Sequence, residues 1–127
     1  MIRPIARSPA VPLVSRFLAV HPVEDADALP AYLETHLGER PAPWVLNRVG
    51  LYQLDAGQPD WALALLELNA QFYPDDGNLA DSLAHAYEIT GRSDLARLQY
   101  QRALTLGEAQ TDCHWCANAR AGLERLN

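Results

Sequence analysis

The chain repeats itself with a period of 34 residues. The residues that coincide after a shift of 34 include Gly50 with Ala84, Gly57 with Gly91, Asp60 with Asp94, and Ala62 with Ala96. Small residues at fixed places with this period are typical of a solenoid of helix-turn-helix units, in which each antiparallel pair crosses closely and stacks on the next. The repeat therefore predicts an all-α protein, a right-handed solenoid of about seven antiparallel helices.

Local signals predict where the helices of the repeat begin and end. Gly57 and Gly91 are expected to end the first helix of each pair in the left-handed conformation. Pro59 is tolerated in a first helical turn, and Ser93 can cap the corresponding helix of the second pair. Pro74 cannot continue a helix and is expected to stop the second helix of the first pair.

The whole chain, 1–127, is expected to form a single domain with four parts. These are a segment, 1–42, with an arm and a degenerate helical pair (12–20 and 28–37), repeat one (43–76), repeat two (77–110) and a C-terminal capping helix (111–127, with Thr111 as its cap). A length of 127 residues fits one compact core and leaves no room for a two-domain enzyme.

Composition supports helices and excludes several kinds of chemistry. Alanine and leucine supply 20 residues each, and all 10 basic residues are arginine. Without lysine there is no Schiff base, Ser-Lys dyad or phosphate-loop lysine. The net charge of −6 argues against nucleic-acid binding, and no apolar run is long enough to span a membrane. Two cysteines are too few for a disulfide-built fold, so a cytoplasmic protein is expected.

The N-terminus has a charge opposite to that of the rest of the chain. Residues 1–20 carry Arg3, Arg7 and Arg16 and no acid, whereas residues 21–127 carry a net −9. A targeting segment is one interpretation. A short arm followed by a first helix is the other, and we favour it because Arg16 interrupts the apolar stretch that a secretory signal needs.

The repeat resembles the tetratricopeptide repeat over residues 43–110. The positions that carry the resemblance are Gly50, Ala62 and Pro74 in repeat one, and Ala84, Tyr87, Ala96 and Ala103 in repeat two. Glu108 stands where the family usually has proline. The resemblance implies the helical solenoid and a role in binding proteins, but it does not indicate a particular partner.

A narrower resemblance covers the middle of the chain. The stretches that carry it are Leu46-Asn47-x-x-Gly50, Leu66-x-x-Asn69-x-x-x-Tyr73-Pro74 and Asn78-x-x-Asp81-Ser82-Leu83-x-x-Ala86-Tyr87. They are similar to the helical repeat module appended to serine-hydrolase and β-lactamase-like domains. Neither Ser-x-x-Lys nor a Gly-x-Ser-x-Gly elbow occurs. The resemblance therefore implies an accessory or adaptor module rather than the hydrolytic activity.

The polar residues of those stretches also have structural explanations. Asn78 can cap a helix, and Asp81 and Ser82 would then lie in its first turn, where a carboxylate is favourable. Asn69 faces the next helix and, if buried, needs a hydrogen-bond partner such as a loop carbonyl. Asp81, Ser82 and His85 share a helix but lack a nucleophile elbow, so we do not expect a catalytic triad.

The first helices of successive pairs are expected to line a concave groove. Its side chains would be Trp44, Asn47, Leu51, Leu54, Asn78, Asp81, His85, Glu88, Asp112, Trp115 and Ala119. Tryptophan rings and amides suit capture of a peptide or partner protein, and the net negative charge favours a neutral or basic segment. Alternatively, Trp44 and Trp115 pack beneath the flanking helices. Self-association through the terminal helices would give a homodimer.

Cys113-His114-Trp115-Cys116 is the sharpest local motif. Its spacing matches a redox pair at a helix N-terminus, although Asp112 opposes thiolate formation. Zinc needs four ligands, and His114 would point about 100° away from Cys113 on a helix. Idle thiols, a redox or disulfide pair, and a metal site all remain open.

The sequence thus predicts a non-catalytic protein-interaction module without a cofactor, with a thiol redox or zinc-binding protein as the alternative.

Overall fold

The computed structural model describes residues 9–127, and this part of the chain is all-helical, as the repeat predicts. The α-helices within it are α1 (Ala10–Val20), α2 (Leu29–Leu37), α3 (Pro43–Asp55), α4 (Pro59–Phe72), α5 (Gly77–Ile89), α6 (Ser93–Glu108) and α7 (Cys116–Leu126). A 3₁₀-helix, Val23–Ala28, precedes α2 and was not predicted. Arg3 and Arg7 of the predicted arm lie outside the described residues.

The helices repeat with the period found in the sequence. The first helix of each pair, α3 or α5, has 13 residues, and the two begin 34 residues apart at Pro43 and Gly77. The second helices, α4 and α6, begin at Pro59 and Ser93, which is the same interval. The period of 34 is therefore a period of helical hairpins in the described chain.

The glycines that separate the helices of each pair adopt the predicted left-handed conformation. Gly57 has a φ of 77° and Gly91 a φ of 81°, values that side chains with a Cβ rarely tolerate. Pro59 begins α4, where its missing N–H is not needed. The predicted stop at Pro74 is also confirmed, since α4 ends at Phe72.

Each helix from α3 onward packs against the next helix in the chain, and the first helices also touch one another. The helix α3 contacts α4 and α5, and α5 contacts α4, α6 and α7. Because short loops join consecutive packed helices, those neighbours run antiparallel. The helix α5 therefore lies at the centre of the molecule, and most of its residues are buried.

Small residues lie where the helices cross. A Cβ on Gly50 would stand 2.8 Å from the Leu66 side chain, too close for a real contact. Ala62, Ala84 and Ala96, at the other crossings, are fully buried. The prediction that these positions permit close helix approach is confirmed.

The core has two parts. The N-terminal part joins α1 and α2 to the first pair and contains Val14, Phe17, Leu33, Val45 and Trp61. The C-terminal part joins α5, α6 and α7 and contains Leu83, Ala84, Tyr100, Ala103 and Trp115. No helix within residues 9–127 is long and apolar enough to cross a membrane.

Three capping predictions were wrong. The cap of α5 is Asp76, whose Oδ1 accepts hydrogen bonds from the backbone N–H groups of Asn78 (3.0 Å) and Leu79 (3.3 Å). Since α5 begins at Gly77, Asp81 and Ser82 lie beyond its first turn and are buried. Ser93 is the first residue of α6 and does not cap it.

The C-terminal helix begins later than predicted. Residues 110–115 form a bent loop, and α7 begins at Cys116, so Thr111 does not cap it. Asp112 is exposed in this loop, and Cys113 precedes the helix instead of occupying its first turn. In this loop Cys113 is joined to Cys116, and the Trp115 ring packs against Gly77 and donates to the carbonyl oxygen of Ala103.

Candidate functional site

The predicted groove residues fall into exposed, half-buried and buried groups. Trp44 is 48% exposed at the start of α3. The half-buried members are Asn47, Leu51, Leu54, Asn78, His85 and Glu88. The buried members are Asp81, Trp115 and Ala119. The members most open to a partner are therefore Trp44 on α3 and Asp112 in the loop before α7.

Three exposed side chains form a row on α3, which we call the α3 face. They are Trp44, Arg48 and Tyr52, spaced four residues apart and so on one side of the helix. Tyr52 is 68% exposed. Within residues 9–127, Arg48 makes no hydrogen bond or ion pair. Tryptophan, tyrosine and arginine are the residue types that dominate the binding energy of protein interfaces.

The sequence prediction included Trp44 and Leu51 but missed Arg48 and Tyr52. The spacing Trp-x-x-x-Arg-x-x-x-Tyr was the available signal. The groove positions of the tetratricopeptide pattern do not include these two residues, so the family pattern does not indicate them.

A buried amide fixes the start of α3 and hence the place of Trp44. Asn69, on α4, is fully buried, and its Nδ2 donates a hydrogen bond of 2.8 Å to the carbonyl oxygen of Pro43. Tyr73 donates in the same region to the carbonyl oxygen of Pro41, at 2.6 Å. The prediction that a buried Asn69 finds a hydrogen-bond partner is confirmed, but the acceptor is the first residue of α3 rather than a loop carbonyl.

Trp115 is largely buried and holds the loop before α7 against α5 and α6. Its indole is 8% exposed, and Nε1 donates a hydrogen bond of 2.8 Å to the carbonyl oxygen of Ala103. A Cβ on Gly77 would lie 2.6 Å from the ring. The ring thus fills the space between α5 and α6, which is the alternative that the sequence left open for it.

The acids of α5 are paired with residues of α6 and α7. Glu88 accepts hydrogen bonds from Arg125 Nε (2.8 Å) and Nη2 (3.0 Å), and from the hydroxyl of Tyr100 (2.7 Å). Both carboxylate oxygens of Asp81 accept from Nδ2 of Asn118, at 3.0 and 2.9 Å. Much of the negative charge expected in the groove is therefore engaged inside the molecule.

These pairings shift the pKa values of the groups involved. The hydrogen bonds from Arg125 outweigh desolvation and lower the pKa of Glu88 from 4.5 to about 2. Burial raises the pKa of Asp81, and the hydrogen bond from Asn118 only partly offsets that effect. Burial and the acceptor Glu88 raise the pKa of the Tyr100 hydroxyl. Glu88 therefore favours folding in its charged form.

Glu88 should make the stability of the protein depend on pH. Because its pKa is lower in the folded chain, its contribution is present above pH 4.5 and is lost as the pH falls towards 2. At pH 6 the free energy of unfolding of the wild type should therefore exceed that of Glu88→Gln by about 1 kcal/mol, because the pair of Glu88 with Arg125 is partly solvated. At pH 2 the difference should be much smaller.

Urea denaturation of both proteins between pH 2 and pH 6 checks this expectation. Asp81 is present in both, so its opposite pH dependence cancels in the difference. A difference that stays constant over this range would contradict the role assigned to Glu88.

Cys113 and Cys116 are joined by a disulfide, with their Cα atoms 5.5 Å apart. His114 is exposed and its ring lies edge-on to that of Trp115. The part of the chain that the structure describes contains no group of three or more His, Cys, Asp or Glu side chains that could hold a metal ion. Of the states that the sequence left open for the Cys113–Cys116 motif, the structure has the disulfide.

An open cavity of about 660 Å³ lies at the end of the molecule where α5 begins. Its lining includes Asn78 and Trp115 from the predicted groove, together with Asp75, Asp76 and His114. Trp44 and His85 are not part of it. The structure thus places Trp44 on the α3 face and Asn78 and Trp115 at this cavity, and the other predicted groove residues belong to neither.

No protein-family model, curated protein or solved structure matches the chain.

Proposed function

We propose that the chain is a non-catalytic protein-interaction module built as a right-handed solenoid of the tetratricopeptide type. Support comes from the interval of 34 residues between the starts of α3 and α5 and between those of α4 and α6. Further support comes from the contacts of α3 with α5 and of α5 with α7, since first helices of successive pairs adjoin in such a solenoid.

The α3 face is the proposed binding surface. The observation that carries this proposal is the exposure of Trp44, which is 48% accessible beside Arg48, a side chain without a hydrogen bond or ion pair among residues 9–127. A partner that buried this ring would gain apolar area without displacing an existing hydrogen bond of Trp44 or Arg48. Asn69 supports the proposal because it fixes the backbone at Pro43, next to Trp44.

The proposed partner is a protein or peptide segment that presents an apolar or aromatic side chain. The preference for a basic segment has less support than one for a neutral segment, because Glu88 and Asp81 are already paired with Arg125 and Asn118. A role as adaptor or accessory subunit of a hydrolase rests on the sequence resemblance alone.

Dimerisation through α7 has little support. Its outward side chains include Arg120 and Glu124, which are exposed and charged. Such a surface suits the polar end that caps a solenoid.

Replacing Trp44 with alanine should weaken partner binding at least about tenfold. The test selects peptides from a displayed random library on the wild type and measures the Kd of the strongest peptide. Leu98→Ala is the matched control, because Leu98 is 57% exposed on α6, away from the α3 face, and its removal should change the Kd less than about twofold. Equal affinity for wild type and Trp44→Ala, or the absence of any enriched peptide, would contradict the proposal.

The alternative of thiol chemistry is favoured by one observation, the Cys113–Cys116 disulfide. The disulfide also counts against a zinc site, because two sulfurs bonded to each other are not available as thiolate ligands. A cytoplasmic location remains part of the proposal, and disulfides in that compartment are usually transient or redox-sensing.

A further inference from the structure

The Cys113–Cys116 disulfide lies at the junction of α6 and α7. Cys116 is the first residue of α7, and both sulfurs pack against Gly107 near the end of α6. A Cβ on Gly107 would stand 2.6 Å from Sγ of Cys113 and still closer to Sγ of Cys116. The disulfide therefore fits against the backbone of α6, and the loop it closes determines how α7 begins.

The remainder of α7 is held by apolar packing and by polar contacts. Ala119 and Gly122 are buried, and Gly122 lies against the ring of Tyr100. Asn118 donates to Asp81, and Arg125 donates to Glu88, both on α5. Near the C-terminus, Arg97 of α6 donates to the carbonyl oxygen of Leu126, at 3.2 and 3.3 Å. These polar contacts are partly solvated, whereas at the start of α7 the disulfide packs against Gly107 and Trp115 packs against Gly77.

The disulfide is open to a reagent from one side. A cavity of about 340 Å³ lies beside it, and its lining includes Gly107, Cys113, Cys116 and Arg120. Cys113 is half-buried, whereas Cys116 is 7% exposed. An incoming thiolate therefore reaches Sγ of Cys113 more easily than Sγ of Cys116.

The surroundings of Cys116 suit a leaving group. As the first residue of α7 it lies at the positive end of the helix dipole, which favours a thiolate. Arg120, four residues later, lies on the same side of α7 and lines the same cavity. Release of Cys116 as a thiolate is thus the favoured direction of exchange.

We propose that the Cys113–Cys116 pair is a reversible thiol–disulfide switch that accepts electrons from a dithiol and controls the docking of α7. One thiolate of the dithiol attacks Sγ of Cys113, the S–S bond breaks, and Cys116 leaves with the electron pair and takes up a proton. The second thiolate then attacks the dithiol sulfur of the mixed disulfide and releases Cys113. Two electrons and two protons pass to the pair, and the dithiol becomes a cyclic disulfide.

Reduction frees the loop before α7. The two sulfurs are no longer held together against Gly107, and residues 113–116 gain the conformational freedom that the short covalent ring removed. The start of α7 then separates more often from α5 and α6, and Asp81 and Glu88 are uncovered. This switch does not depend on the proposed binding function.

Hydrogen exchange measured by mass spectrometry tests the switch on the full chain. The protein is equilibrated with oxidised glutathione and then compared with and without dithiothreitol. We expect no titratable thiol in the oxidised protein and two after reduction. The amides of residues 116–126 should exchange on the order of tenfold faster after reduction, with those of α3 and α4 unchanged.

The control is the double variant Cys113→Ser and Cys116→Ser, which should exchange like the reduced wild type and should not respond to dithiothreitol. Two outcomes would overturn the proposal. One is that both thiols titrate after treatment with oxidised glutathione. The other is that α7 exchanges at the same rate in the oxidised and reduced proteins.

Discussion

Replacing Trp115 with alanine is expected to lower the free energy of unfolding by about 3–5 kcal/mol. The indole is buried, packs against Gly77 and donates to the carbonyl oxygen of Ala103. Its removal leaves a cavity between α5 and α6 and deletes the hydrogen bond to Ala103. It also removes the anchor of the loop before α7, so that helix should become more susceptible to exchange and proteolysis.

Urea denaturation followed by circular dichroism measures the effect, and Trp44→Ala is the matched control. The same substitution at the exposed tryptophan should change the free energy of unfolding by less than about 0.5 kcal/mol. Similar losses in the two variants would contradict the assignment of one tryptophan to the core and the other to a binding surface. The control also establishes that Trp44→Ala is folded in the binding experiment.

Replacing Gly122 with alanine is expected to destabilise the protein by about 1–3 kcal/mol, although alanine is the better helix former. A Cβ at this position would lie 2.8 Å from Cδ2 of Tyr100 and closer to two other ring atoms. The ring cannot move easily, because Tyr100 is fully buried and its hydroxyl donates to Glu88. The helix α7 would have to move away from α6.

Ala117→Gly provides the comparison on the same helix. Ala117 is exposed, so this change should cost only the difference in helix propensity, about 1 kcal/mol. Thermal unfolding of the wild type, Gly122→Ala and Ala117→Gly measures both losses of stability. A higher melting temperature for Gly122→Ala than for the wild type would contradict the close packing of Gly122 on Tyr100.

The helices of the repeat were predictable because their signals are local. Gly57 and Gly91 adopt the left-handed conformation that a C-terminal glycine provides, and Pro59 begins its helix. The small residues at the crossings could also be recognised, since close approach of two helices requires them. Such features depend on neighbouring residues or on the repeat period, and both can be seen in a single sequence.

The start of α7 was not predictable, because it depends on tertiary contacts. A helix beginning near Thr111 agrees with the sequence pattern, but in the structure residues 110–115 form a loop that contains Cys113 and the buried Trp115. The cap of α5 was misassigned because Asp76 and Asn78 both suit the position, and only the position of Gly77 as first helical residue decides between them.

The candidate site was predicted in part for a similar reason. Trp44 and Trp115 have the same residue type and comparable places in the period, yet one is exposed and the other is buried between α5 and α6. The pairing of Glu88 with Arg125 depends on the placement of α7, which the sequence did not give correctly. Charge counted along a predicted groove therefore overstated the charge available to a partner.

The most direct test of the proposed function is to map where a selected peptide binds. The peptide is titrated into ¹⁵N-labelled protein, and the indole N–H of Trp44 and the amides of α3 are followed by NMR. The account predicts that the largest shifts occur at Trp44, Arg48 and Tyr52. Shifts confined to the outer side of α6, at Leu95 and Leu98, would contradict it.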